Sequence, residues 1–184
     1  MRTSDADILF VPGLGNSGPD HWQTRWEKKL STGRRVEQKD WDHPRLADWK
    51  ARIIEEIARA AEASRPAVLI AHSLGSIAVV HAAIALGKVT GAYLITPPSD
   101  AAIATLPGVD PAFVPVPMSP LPFPSVLVAS RTDPYGSYTD AQAKAEAWGS
   151  TLVDAGNAGH INTESGHGPW PEGLMRLATF LKTL

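Results

Sequence analysis

Along the chain, short apolar runs alternate with longer stretches in which apolar and polar positions share the turns of a helix. "ILFVPG" (8–13) predicts a strand ending in a glycine turn, and "PDHWQTRWEKKL" (19–30) a helix with Pro19 in its first turn, where a missing N–H costs nothing. "RRVEQKDW" (34–41) predicts a short strand with weak patterning. "PRLADWKARIIEEIARAAEA" (44–63) is amphipathic, with Leu46, Trp49, Ile53, Ile57 and Ala60 along one stripe. "PAVLIAHS" (66–73), "GAYLITPP" (91–98) and "SVLVASRTD" (125–133) are apolar nearly throughout, as strands buried on both faces of a parallel sheet are. "LGSIAVVHAAIALG" (74–87) predicts a buried helix closing at Gly87. "TDAQAKAEAWG" (139–149) predicts a helix, "STLVDAG" (150–156) a last strand and "GLMRLATFLKTL" (173–184) a last helix. Strand–helix alternation throughout predicts an α/β fold, a mostly parallel sheet with helices on both faces. One long piece, between Pro97 and Pro124, carries nine prolines and cannot be regular throughout. A loop of that length is expected near a functional site.

At 184 residues the chain fits a single domain, 1–184, with no internal repeat or linker. A net charge of −2 leaves no electrostatic footprint for nucleic acid or an anionic membrane. The absence of cysteine excludes disulfides, thiolate metal sites and a cysteine nucleophile. The opening "MRTSDADILFV" is polar and then only briefly apolar, unlike a signal peptide, and no run approaches the length of a membrane span. A cytoplasmic location is the resulting expectation.

"VPGLGNSGPDHW" (11–22) holds Gly13, Gly15 and Gly18 in the spacing G-x-G-x-x-G after an apolar run, the pattern of a dinucleotide-binding turn. That chemistry needs a helix starting inside the motif, so that the third glycine packs helix against strand. Pro19 moves the predicted helix start past Gly18. The alternative is a bare backbone loop that brings N–H groups close to a carbonyl oxygen.

"LIAHSLGS" places Ser73 between a buried strand and a buried helix. A-H-S-L-G matches small-x-Ser-x-Gly, the nucleophile elbow of α/β-hydrolases, with Ala71 where glycine is commoner. Small residues are needed because the strained serine lies tight between strand and helix, and the helix N-terminus favours developing negative charge. Serine is also a frequent N-cap; the strand before and the helix after favour the elbow. His72 is not the expected base, since neighbours in a tight turn point apart.

On such a sheet an acid and then a histidine follow the serine, each on a loop after a later strand. Asp133, in "SVLVASRTDPYG", and His160, in "STLVDAGNAGHIN", fall where that order requires. Asp133 before proline is also an ordinary turn residue. His167 is a second candidate base, and Asp100 or Asp154 could replace Asp133, with Asp100 the reserve. His81, mid-helix, reads as a satisfied core residue. His160, Glu164 and His167 could be read as metal ligands, but Gly159, Gly166, Gly168 and Pro169 break the helix such a site would need. No metal or organic cofactor is expected. Trp22 and Trp26, at i and i+4, are expected to pack against the sheet. Trp170 either walls a pocket or anchors the last helix.

"VPGLGNSGPDHWQTRWE", "AHSLGS", "SRTDPYG" and "AGHINTESGHGPWPEG", in this order, resemble the small serine hydrolases related to retinoblastoma-binding protein 9. The resemblance runs from about residue 8 to the end of the chain. It implies a compact α/β-hydrolase fold without a large lid domain and a triad of Ser73, Asp133 and His160. The expected activity is that of a carboxylesterase-like serine hydrolase acting on a small-molecule acyl substrate. Its oxyanion hole would be the backbone N–H groups of Leu14 and Leu74. The other expectation is a protein-interaction module on the same fold, with an unknown protein partner and secondary hydrolysis. The proline-rich stretch is expected to wall the acyl site.

Overall fold

A computed structural model describes residues 1–87 and 89–184. Among these residues six strands form one wholly parallel sheet: β1 (Asp7–Val11), β2 (Gly33–Arg35), β3 (Ala67–His72), β4 (Val89–Ile95), β5 (Ser125–Ala129) and β6 (Thr151–Asp154). Six helices alternate with them: α1 (Trp22–Lys29), α2 (Leu46–Glu62), α3 (Leu74–Ala82), α4 (Asp100–Thr105), α5 (Tyr138–Trp148) and α6 (Pro171–Leu181). The strand order is β2-β1-β3-β4-β5-β6. The chain therefore winds one way from β1 and the other way from β3, opening a crevice beyond the carboxyl ends of those two strands.

Both faces of the sheet are covered, which is why its central strands read as continuous apolar runs. Leu9, Val11, Leu69, Ala71, Leu94 and Leu127 meet α2, α3 and α5 on one side. Ile8, Phe10, Val68, Ile70, Tyr93 and Val128 meet α1 and α6 on the other. Alternate residues of one strand thus feed two separate cores. Among the described residues no helix is long and apolar enough to cross a membrane.

Several predicted boundaries are corrected. The first helix begins at Trp22, not Pro19, because His21 caps it by accepting the Gln23 N–H on Nδ1 and closes a turn back to the Gly18 carbonyl. β2 stops at Arg35, because β1 ends before Pro12, which has no N–H to continue the ladder. β4 and β5 end at Ile95 and Ala129, three and four residues short of their predicted ends; Thr96 turns out of β4 with φ +45°. The buried helix after Ser73 is α only to Ala82 and closes as a 3-10 turn over Ala83–Ala85. The last helix starts at Pro171 in its first turn and ends at Leu181.

The proline-rich piece is less irregular than its composition suggests. The proline-free run after Pro98 forms α4, capped by Ser99 through the Ala102 N–H. Further on, Phe113 is wholly buried against Trp49, and its carbonyl binds the His81 ring, so this aromatic side chain helps to hold the segment on α2 and α3. Burying such a side chain contributes about 2 kcal/mol. His81 is satisfied as expected.

Candidate active site

Ser73 follows β3 directly and takes φ +53°, ψ −129°, a conformation that ordinary side chains avoid. It occupies the N-cap position of α3, yet its side chain makes no capping hydrogen bond. The hydroxyl faces His160 instead, with Ser73 Oγ 2.9 Å from Nε2. On the far side of the ring, Nδ1–H donates to Asp133 Oδ1, also at 2.9 Å. A carboxylate only accepts, so the proton lies on Nδ1 and leaves Nε2 free to take the serine proton. Asp133 Oδ1 also accepts the Tyr135 N–H, and the Tyr135 ring lies 4.6 Å from that of His160. The side chains of His160 and Asp133 are nearly buried, with 8% and 4% exposed.

The other candidates lie elsewhere. Asp100 accepts the Val116 N–H, Asp154 pairs with Arg131, and His167 contacts the Ser165 hydroxyl. Trp170 stacks on Trp26 at 5.5 Å and lies under Gly173, so it anchors α6 and does not line the pocket. Trp22 and Trp26 pack with it against the sheet.

Two glycines beside the elbow are fixed by close approach. A Cβ on Gly13 would lie 2.8 Å from Ser73 Cβ and 3.3 Å from the Leu74 nitrogen. The first-strand loop thus rests on the elbow, with the Leu14 amide one residue from this contact. Neither the Leu14 nor the Leu74 N–H has a hydrogen-bond partner among the described residues. A Cβ on Gly75 would stand 2.4 Å from the carbonyl oxygens of both Val11 and Pro12. Backbone cannot yield as a side chain can, so Gly75→Ala is expected to destabilise the fold by about 3 kcal/mol. A lower midpoint of urea unfolding at unchanged slope is the measurement.

The sequence did not reveal what holds this loop. Arg35, with only 10% of its side chain exposed, donates to Asn16 Oδ1, the Ser17 carbonyl, Thr24 Oγ1 and Glu27. Gln23, wholly buried, reaches the carbonyls of Val11 and Ile70 at the ends of β1 and β3. These residues clamp the turn in which Gly15 and Asn16 both have positive φ. Spacing in the sequence carried no sign of them, since their partners meet only across the strand order.

Ser73 opens into a cavity of ≈ 310 Å³. Leu14, Pro98 and Leu106 line its apolar part; Asn16, His21, Tyr135, Asn162, Thr163 and Glu164 line its polar part. Pro98 and Leu106 are the contribution of the proline-rich segment. Burial, with Arg35 and His160 nearby, pulls the His21 pKa down to about 4, so its ring is neutral at pH 7.

Residues 8–179 match a family described as serine hydrolase. A YdeN-like hydrolase from Pectobacterium atrosepticum is 35% identical, with 98% of this chain and 94% of that one covered and a TM-score of 0.84. The ydeN gene product of B. subtilis is 16% identical, covering 96% of this chain and 99% of that one, with a TM-score of 0.76. An esterase domain from Rhodothermus marinus is 18% identical, covering 95% and 86%, with a TM-score of 0.70. The last two show the α/β-hydrolase fold alone. No curated protein sequence matches the chain.

Proposed function

Because the chain belongs to the serine hydrolase family, we propose that it cleaves small carboxylic esters or related acyl compounds through an acyl-enzyme formed on Ser73. The observation that carries this reading is the hydrogen-bonded chain from Ser73 through His160 to Asp133, at 2.9 Å on each side. Ser73 Oγ attacks the acyl carbon while its proton passes to His160 Nε2, and the Asp133 carboxylate balances the imidazolium. The carbonyl oxygen, now negative, takes hydrogen bonds from the amides of Leu14 and Leu74. A donor of this kind is worth about 3 kcal/mol. Collapse breaks the bond to the leaving group, which accepts the proton held on Nε2. Water, deprotonated by the same nitrogen, then releases the acid and restores the serine. These steps call for no metal or organic cofactor.

Within the family, we propose kinship with the hydrolases related to retinoblastoma-binding protein 9, on the four motif blocks that begin with "VPGLGNSGPDHW". A fluorophosphonate should form an adduct that mass spectrometry locates on Ser73. The cavity lies at the small end of the roughly 300–1,000 Å³ typical of ligand pockets. Short acyl chains are therefore the expected substrates. Across p-nitrophenyl esters from acetate to laurate, kcat/KM should fall by about tenfold or more beyond butyrate, since a cavity of this volume leaves no room for the added methylenes. A steady rise toward laurate would displace this reading in favour of a lipase.

A further inference from the structure

The backbone carbonyl of His160 is held by two side chains from neighbouring strand ends. His72 Nε2 lies 2.9 Å from that oxygen, and the Thr96 hydroxyl donates to it at 3.3 Å. A carbonyl only accepts, so the His72 proton must sit on Nε2. One residue further, the Ile161 carbonyl accepts the Trp22 indole N–H at 2.8 Å. The His72 ring is buried among His160, His21 and Trp22, with ring centroids 4.9, 5.0 and 5.9 Å away. That burial keeps it neutral, its pKa well below the usual histidine range.

Backbone strain collects at the same place. Ser73, Thr96 and Ile161 have φ of +53°, +45° and +47°, although none is glycine and two are β-branched. Such conformations persist only where the surroundings over-determine them. Here the first neighbours His72, the second is a donor and the third follows the accepting carbonyl. The strained turns after β3 and β4 thus converge on one oxygen of the loop after β6.

We propose that His72 and Thr96 are positioning residues for the base. By donating to the His160 carbonyl, they fix the backbone from which the imidazole must reach Ser73 and Asp133 together. His72 also joins the base to the nucleophile rigidly, since a single peptide bond separates it from Ser73. The inference rests on the reading of Ser73 and His160 given above. It differs from a role in packing alone, which would require ring volume at His72 but no N–H.

The two roles separate by substitution. His72→Phe keeps the ring and removes the donor; His72→Gln loses the ring and returns an N–H near the place of Nε2. Misplacing a catalytic group by about an ångström can cost about 100-fold in rate. The expected result is a 10- to 100-fold lower kcat in His72→Phe at unchanged KM. His72→Gln should recover to within about threefold of the parent. The low-field proton resonance of the His160–Asp133 hydrogen bond should broaden in the phenylalanine variant and sharpen again in the glutamine one.

Equal losses in both variants with that resonance intact would overturn the proposal in favour of packing. Parental kcat in both would overturn it outright. Should His72→Phe fail to fold, Thr96→Val supplies the second test, because it removes one hydroxyl and keeps the branching. A several-fold loss of kcat at constant KM supports the clamp, and no change overturns it. Ser73→Ala, assayed beside them, separates the two levels. If it retains turnover, the proposed function fails; if it is inactive while the clamp variants match the parent, the clamp alone fails.

Discussion

Ser73→Ala is expected to lower kcat for an activated short-chain ester by about 10⁵-fold or more and to abolish fluorophosphonate labelling. Its stability should barely change, which makes the variant informative. The Ser73 hydroxyl caps nothing in α3, so its removal costs the helix no hydrogen bond. Alanine retains the Cβ and the same backbone demands, so the strained elbow is neither relieved nor aggravated. The hydroxyl's described contact is with His160. Lost activity with a parental melting curve would therefore report chemistry. Labelling that persists at another residue would remove Ser73 from the mechanism.

Asp133→Asn should cost about 10³- to 10⁴-fold in kcat. One oxygen of Asp133 accepts both the His160 Nδ1–H and the Tyr135 N–H. An asparagine that keeps its carbonyl oxygen there preserves both bonds and the turn. What it removes is the negative charge facing the imidazolium formed as Ser73 attacks, so KM should move little while kcat falls. Asp100→Asn and Asp154→Asn serve as controls, since their carboxylates bind Val116 and Arg131 and lie outside the chain of contacts to Ser73. Both should remain within about threefold of the parent. If Asp133→Asn kept more than a tenth of the activity, Asp133 could not be the acid.

Much of this arrangement was legible because it is local. An apolar strand, a small residue, serine and glycine within eight positions specify an elbow, and Asp133 and His160 sit in the loops where later strands end. The fold class was legible for the same reason: strands buried on both sides lose their alternation, while the helices between them keep a stripe. The unread residues depend on contacts that no local pattern encodes. His72 and His160 are separated by 88 positions, and meet only because the loop after β6 runs back across the ends of β5 and β4 to that of β3. Arg35 reaches Asn16 because β2 pairs with β1. The α4 helix was hidden by the prolines on either side of it, which end regular structure locally without preventing a short turn between them. Pro19 suggested a helix start that the His21 cap moved three residues onward.

The loops after β3, β5 and β6 carry Ser73, Asp133 and His160, with 87 positions from the first to the last. At roughly 5–20 residues per second, a ribosome needs about 4–17 s to add those positions. Throughout that interval the growing polypeptide carries Ser73 and lacks its hydrogen-bond partner His160. The run of contacts from Ser73 through His160 to Asp133 is therefore completed only after β6 has been made. On the proposed reading, a polypeptide that stops short of His160 is expected to leave esters intact.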